Sequence, residues 1–229
     1  MSLTSTANAI AGRPADPATV AGTCPDHLVR AVGTEVRRGL DWQQTADCVA
    51  GALRASLPDP AAILPVPLRR GDPAGYQGHL LYTEPDGTFS ITAMVWLPGQ
   101  QTPVHDHVAW CVTAVLQGRE HEEIFALANA ELANAELPDA GLPDGGLANA
   151  ELANAELADG GQADGGQALR LTARNVNQPG SVSAFAPPGD IHRVRNTGDT
   201  VAISMHVYGA DISRLGNSIR REYPLPVRA

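Results

Sequence analysis

The stretch GQQTPVHDHVAWCVTAVLQG, from Gly99 to Gly118, constrains this chain more than any other. His105 and His107 are one residue apart in a run of strand-forming composition, and alternate side chains of a strand share a face. Two imidazoles on one face can hold one metal ion. Glycines bracket the run at Gly99 and Gly118, where turns are expected, and Gln117-Gly118 reads as a hairpin turn.

The spacing resembles the first cupin signature, in which Gly is followed after five residues by His-x-His, then by an acid, then by a second Gly. Gly99, His105, His107 and Gly118 fill that frame, with Cys111 where the acid belongs. The second signature is matched by GSVSAFAPPGDIHRVRN, through Gly180, Pro187, Gly189, His192 and Asn196, one residue longer between Gly and Pro than usual. His192 follows Pro-Pro-Gly-Asp, a turn sequence that delivers the chain into a strand.

The periodicity around these segments fits a small barrel. Two helical stretches come first. PDHLVRAVGTEVRRGL carries an apolar stripe at Leu28, Val29, Val32, Val36 and Leu40, with Asp26 expected to cap it. DWQQTADCVAGALRASL repeats the pattern through Trp42, Ala46, Val49, Leu53 and Leu57, with Asp41 as cap. Repeated prolines between Pro58 and Gly75 break helix. From Gln77 the period becomes two, and HLLYTE, FSITAMVWL, AWCVTAVLQG, EHEEIF, LRLTARNV, SVSAFAP, HRVRNT and TVAISMHVYG read as short strands. The expected fold is mainly β, a cupin-type small β-barrel or jelly roll under an N-terminal helical cover.

A pentapeptide array interrupts the strands: LANAE, LANAE, LPDAG, LPDGG, LANAE, LANAE, LADGG, QADGG. Small residues occupy the centre of each unit, where a pentapeptide solenoid carries a bulky one, and PDAGLPDGG breaks the helix-forming LANAE units. A solvated low-complexity loop at residues 127–168 is expected, with short helices or a solenoid fragment as the alternatives. The domain is then residues 23–229 as a single unit, behind a disordered lead-in at residues 1–22.

Charge points the same way. The formal net charge is -9, yet residues 127–168 hold eight carboxylates and no Arg, so the rest has 17 acidic against 16 basic residues. That near-neutral remainder offers no basic patch for nucleic acid. No apolar run reaches the ~18 residues of a membrane span. Cys24, Cys48 and Cys111 form no C-x-x-C pair, and the first residues lack a secretory pattern, so a cytoplasmic, monomeric protein without a disulfide framework is expected.

Three neutral histidines on one metal would leave coordination positions open, which favours catalysis over a structural role. Without a carboxylate the site keeps a charge near +2 and favours an anionic ligand such as a thiolate. Ser204, His206 and Tyr208 alternate in ISMHVYG and so share a face, where a hydrogen-bonded chain would orient the phenol toward the metal.

Taken together, H-D-H with Cys in the acidic position, P-G-D-I-H-R-V-x-N and S-x-H-x-Y-G resemble the thiol dioxygenases of the cysteine dioxygenase family. The resemblance covers roughly residues 25–125 and 169–215. It implies mononuclear non-haem Fe(II) held by His105, His107 and His192, with a small thiol and O2 as substrates and a sulfinic acid as product. It also implies that Tyr208, held by His206 and Ser204, hydrogen-bonds substrate or oxygen, and that Cys111 is placed for the thioether to tyrosine found in some members.

One departure bears on the substrate. The family's Y-x-[RQ] motif, which recognises a substrate carboxylate, appears as GYQGHLLY, with Gly78 at the recognition position between Gln77 and His79. Gln77, by a one-residue shift, and Arg214 are the candidate carboxylate partners. Cysteine is the first expected substrate and 3-mercaptopropionate the alternative. A metal-retaining cupin sensor without turnover is the reading from another class.

Overall fold

The computed structural model describes residues 22–128 and 167–228. The expected lead-in, Gly22 apart, and the array between residues 129 and 166 lie outside the described residues.

Helices α1 (Asp26–Val36) and α2 (Trp42–Ala55) come first, then a single-turn helix α3 (Pro60–Ile63) and a 3-10 turn at Val66–Arg70. Asp41 caps α2 by accepting from the Gln44 amide at 2.8 Å. Asp26 does not cap α1. It is the first helical residue behind Pro25 and acts only through its charge in the first turn. The α2 stripe holds at Ala46, Val49 and Leu53, which are buried with Thr45 and Ala50, and at Leu57, which packs on the core, but Trp42 at its start is 48% exposed.

Strands β1 (Gln77–Thr83), β2 (Ser90–Trp96), β4 (Cys111–Gln117), β7 (Val182–Phe185) and β9 (Ala202–Tyr208) form one sheet in the order β1-β2-β9-β4-β7. A second sheet, β10-β3-β8-β5-β6-β11, contains β3 (His105–His107), β5 (Glu120–Leu127), β6 (Leu169–Asn177) and β8 (His192–Asn196). Its edges are β10 (Ile219–Glu222) and β11 (Val227–Arg228). The two sheets curl toward each other, giving a mainly β half-barrel, as the sequence predicts, with the helices as its cover.

Strand β9 shows how the layers are built. Ile203, Met205 and Val207 belong to the main core with Leu28, Val32, Val49 and Leu53 from the helices. Ser204, His206 and Tyr208 point the other way, into the barrel. Both faces are buried, and period two separates packing residues from chemical ones.

The β4–β5 connection departs from expectation. Gln117-Gly118 is not a hairpin turn, because β4 pairs with β7 and β9 while β5 pairs with β6 and β8. The chain turns a corner there from one sheet to the other. The array is the connection between β5 and β6, whose ladder runs out to the pair Leu127 and Leu169. The Ala128 amide donates to Ala168 O at 2.8 Å, so the outer residues of the 127–168 stretch are part of the sheet.

Candidate metal centre

His105 and His107 stand on β3 and His192 on the adjacent β8, with His105 and His192 directly paired across the ladder. Cross-strand partners project to the same face, so three imidazoles meet inside the barrel. Their ring centroids form a nearly equilateral triangle with sides of 5.0, 4.8 and 4.9 Å. All three are buried, and one ligand atom from each lies within 4.8 Å of the other two.

Each ring is oriented by a partner at Nδ1. For His105 it is Pro103 O at 3.0 Å, for His107 Asp190 Oδ2 at 2.8 Å, and for His192 Glu122 Oε1 at 2.9 Å. These oxygens can only accept, so each Nδ1 carries hydrogen and each Nε2 keeps its lone pair for the interior. Burial, followed by the neighbouring histidines, holds the His105 pKa well below its usual value. Burial outweighs the Asp190 hydrogen bond at His107 and lowers its pKa too. Neutral imidazole is the ligand form, so the donor set fits a metal ion. Three such nitrogens, from His105, His107 and His192, could hold one metal ion and leave positions open beside it.

A polar chain runs beside the triangle. Ser204 Oγ lies 3.0 Å from His206 Nε2, and His206 Nδ1 lies 3.0 Å from the Tyr208 hydroxyl. Trp96 Nε1 donates to Ser204 Oγ at 3.2 Å, and the Trp96 ring stacks on Tyr76 at 4.5 Å between centroids. Burial, then the neighbouring His107 and His192, which disfavour a further positive charge, takes the His206 pKa down to about 3, so the ring is neutral. One nitrogen of a neutral imidazole donates and the other accepts. The direction of the chain follows the His206 tautomer, and it has two further partners: the Ser204 hydroxyl also hydrogen-bonds Glu120, and the Tyr208 phenol, with its hydrogen, also meets Ser218. Burial, then Cys111, pushes the Tyr208 pKa well above 10 and keeps that hydrogen in place.

The cavity has a volume of about 170 Å³ and is lined by the three histidines, His206, Tyr208 and a largely apolar wall that includes Leu80, Met94, Val194 and Ile219. Cys111 is paired with Tyr208 across β4 and β9 and packs with it and Ile212. Burial, then Asp190 and Glu122, raises its pKa well above 9, so it is a neutral thiol. Gly78 lines the cavity, but Gln77 and Arg214 do not. Gln77 donates its Nε2 back to Gly75 O at 3.1 Å, and Arg214 is exposed on the short helix Ile212–Leu215. The three cysteines are free thiols.

Sequence reasoning missed the carboxylates behind the metal triangle. Glu120 and Glu122 are both buried on β5, in the segment EHEEIF. Alternating acids on a strand were the available signal, but nothing local says that face is inside. Asp190, two residues before His192, was visible only as a turn residue. Asp106, between the two β3 histidines, faces outward to Arg221 Nη2 at 2.7 Å and the Tyr223 hydroxyl at 2.8 Å. It anchors β10 to β3.

No helix among the described residues is long and apolar enough to cross a membrane. No protein-family model matches the chain. Among solved structures it is similar to a recombinant oxalate oxidase in complex with glycolate, at 18% identity and TM-score 0.37 over 61% of this chain and 53% of that one. It is also similar to the Cupin_2 domain of an XRE family transcriptional regulator from Enterobacter cloacae, at 13% identity and TM-score 0.32 over 58% and 94% of the two chains. A Cupin 2 conserved barrel domain protein from Salinispora arenicola matches at 16% identity and TM-score 0.32 over 58% and 74%. The match spans about half the length of the oxalate oxidase chain, and the structures the chain is similar to include proteins of the cupin fold.

Proposed function

We propose that the protein is an iron(II)-dependent thiol dioxygenase that converts cysteine or a close small thiol to its sulfinic acid, R-SH + O2 → R-SO2H. The observation that carries this reading is the convergence of the three histidines and the Ser204, His206, Tyr208 chain on one small cavity, with Cys111 packed against Tyr208. Ferrous iron held by His105, His107 and His192 would supply the redox chemistry that joins O2 to sulfur. Three neutral ligands leave its charge uncompensated, which favours a thiolate.

The chain's own groups do the rest. Pro103 O, Asp190 and Glu122 hold the imidazoles in one tautomer and orientation. Ser204 and His206 hold the Tyr208 hydroxyl at the cavity wall, within reach of a hydrogen bond to the reacting groups. Leu80, Met94, Val194 and Ile219 limit water at the site, which strengthens that hydrogen bond. A monomer in the cytoplasm, where small thiols stay reduced, suits this activity, with the thiol and O2 as its only partners and no nucleic acid or membrane involved.

Oxygen uptake by iron-loaded protein with cysteine, 3-mercaptopropionate and cysteamine tests the proposal. One O2 consumed per thiol, with sulfinic acid as product, is expected for at least one of them. No uptake with any thiol would overturn it and favour a metal-retaining sensor. His192→Ala should lose iron altogether, and stoichiometric iron in that variant would remove His192 from the ligand set. Tyr208→Phe should keep its iron and lose at least about tenfold in kcat.

A further inference from the structure

We infer, on the basis of that thiol reading, that the site selects thiols through a cationic amine rather than a carboxylate, with Glu222 as the residue that recognises it. The argument begins at the edge strand β10. Ile219 pairs with His107, Arg221 with Asp106 and Glu222 with His105, with a bulge between Ile219 and Arg221. Partners across a ladder share a face. Ile219 and Glu222 therefore lie on the inner face with the metal-binding histidines, and Arg221 lies outside with Asp106.

The bulge decides which charge enters. Without the extra residue, strict alternation from Ile219 would turn Arg221 inward and Glu222 outward. The bulge reverses this, and the Arg221 guanidinium is tied to Asp106 Oδ2 through Nε at 3.1 Å and Nη2 at 2.7 Å. Glu222 is exposed and lines the cavity. Its charge is felt inside, since the Tyr76 phenol has its pKa raised by burial and then by Glu222.

The rest of the described lining offers a carboxylate no cationic side chain. Gly78 lines the cavity without a side chain, and a Cβ there would meet only Met94 Sδ at 3.3 Å among close neighbours. Among the described residues that line the cavity there is no Arg, and the chain has no Lys. With the metal's charge taken up by the thiolate, a substrate carboxylate would thus meet Glu222 with no Arg or Lys beside it. An ammonium would be paired by it. Thiols with an amine and no carboxylate should bind best, cysteine should fall between, and 3-mercaptopropionate should bind worst.

The test is an anaerobic titration of Co(II)-loaded and Fe(II)-loaded full-length protein with cysteamine and with 3-mercaptopropionate, followed by the thiolate-to-metal absorption band. Cysteamine should bind at least about fivefold more tightly, and Glu222→Gln should remove most of that preference. Gly78→Arg should shift the ratio toward 3-mercaptopropionate. Equal or tighter binding of 3-mercaptopropionate by the unaltered protein overturns the inference while leaving the thiol reading intact, as does a ratio unchanged in Glu222→Gln. Absence of a thiolate band with either compound overturns both. Circular dichroism of each variant confirms the fold, and Glu222, exposed on an edge strand, is a position that tolerates the amide.

Discussion

Burial acts on Glu120 and Glu122 in the same sense, yet the two carboxyls end with opposite shifts. At Glu122 burial pushes the pKa up, but hydrogen bonds from His192, Asn175 and Asn177 outweigh it and leave the group below its usual value. At Glu120 burial and the nearby Glu122 win over the Ser204 hydroxyl, and the pKa rises to about 7. One oxygen of Glu120 has no hydrogen-bond partner. An acid whose pKa is higher folded than unfolded binds more protons in the native state, so stability falls as pH rises between about 4.5 and 7. The loss across that window is on the order of 3 kcal/mol. Glu120→Gln, which matches the protonated acid in shape, should be less stable than the unaltered protein at pH 5 by at most a small margin and more stable at pH 8. Urea denaturation of both proteins across that range measures it, and parallel pH profiles would show that Glu120 does not titrate in this way.

The corner between β4 and β5 is the element on which the two-sheet arrangement depends. Gly118 has φ +75°, and a Cβ there would stand 2.7 Å from Ala202 Cα and 2.8 Å from Val201 O, both backbone atoms. Gly118→Ala therefore combines left-handed backbone strain with a contact that cannot be relieved by a rotamer change. A destabilisation of roughly 3 kcal/mol is expected, read as a lowered urea midpoint, and an unchanged midpoint would mean that the corner is free to move. The same glycine shows where local reading stops. Gln117-Gly118 announces a turn, but the strands that pair on either side are β7 and β9 for β4 and β6 and β8 for β5, all about 50 or more residues further along the chain. Gly209 makes a similar point, because a Cβ there would lie 2.1 Å from Trp110 Nε1, and only the packed structure brings that ring over it.

At the scale of the molecule, the array joins two ends that the β5–β6 ladder already holds together. Replacing residues 129–166 with a short Gly/Asn turn should leave iron stoichiometry unchanged and Tm equal or a few degrees higher, because a shorter connection closes at lower entropic cost. A Tm drop above 10 °C would show that the array supports the barrel. The sequence by itself determined the barrel class, the helical cover and the six side chains His105, His107, His192, Ser204, His206 and Tyr208. It could do so because period two and turn spacing are local properties, and a residue carries its face with it along a strand. Tertiary structure alone decided which strands meet, that Glu120 and Glu122 stand inside, and that Asp190 and Glu122 hold the ligand rings. It also decided that a bulge turns Glu222 rather than Arg221 toward the cavity. Each of these depends on register between distant segments, and register is fixed by how whole sheets pack, not by the residues on either side of a position.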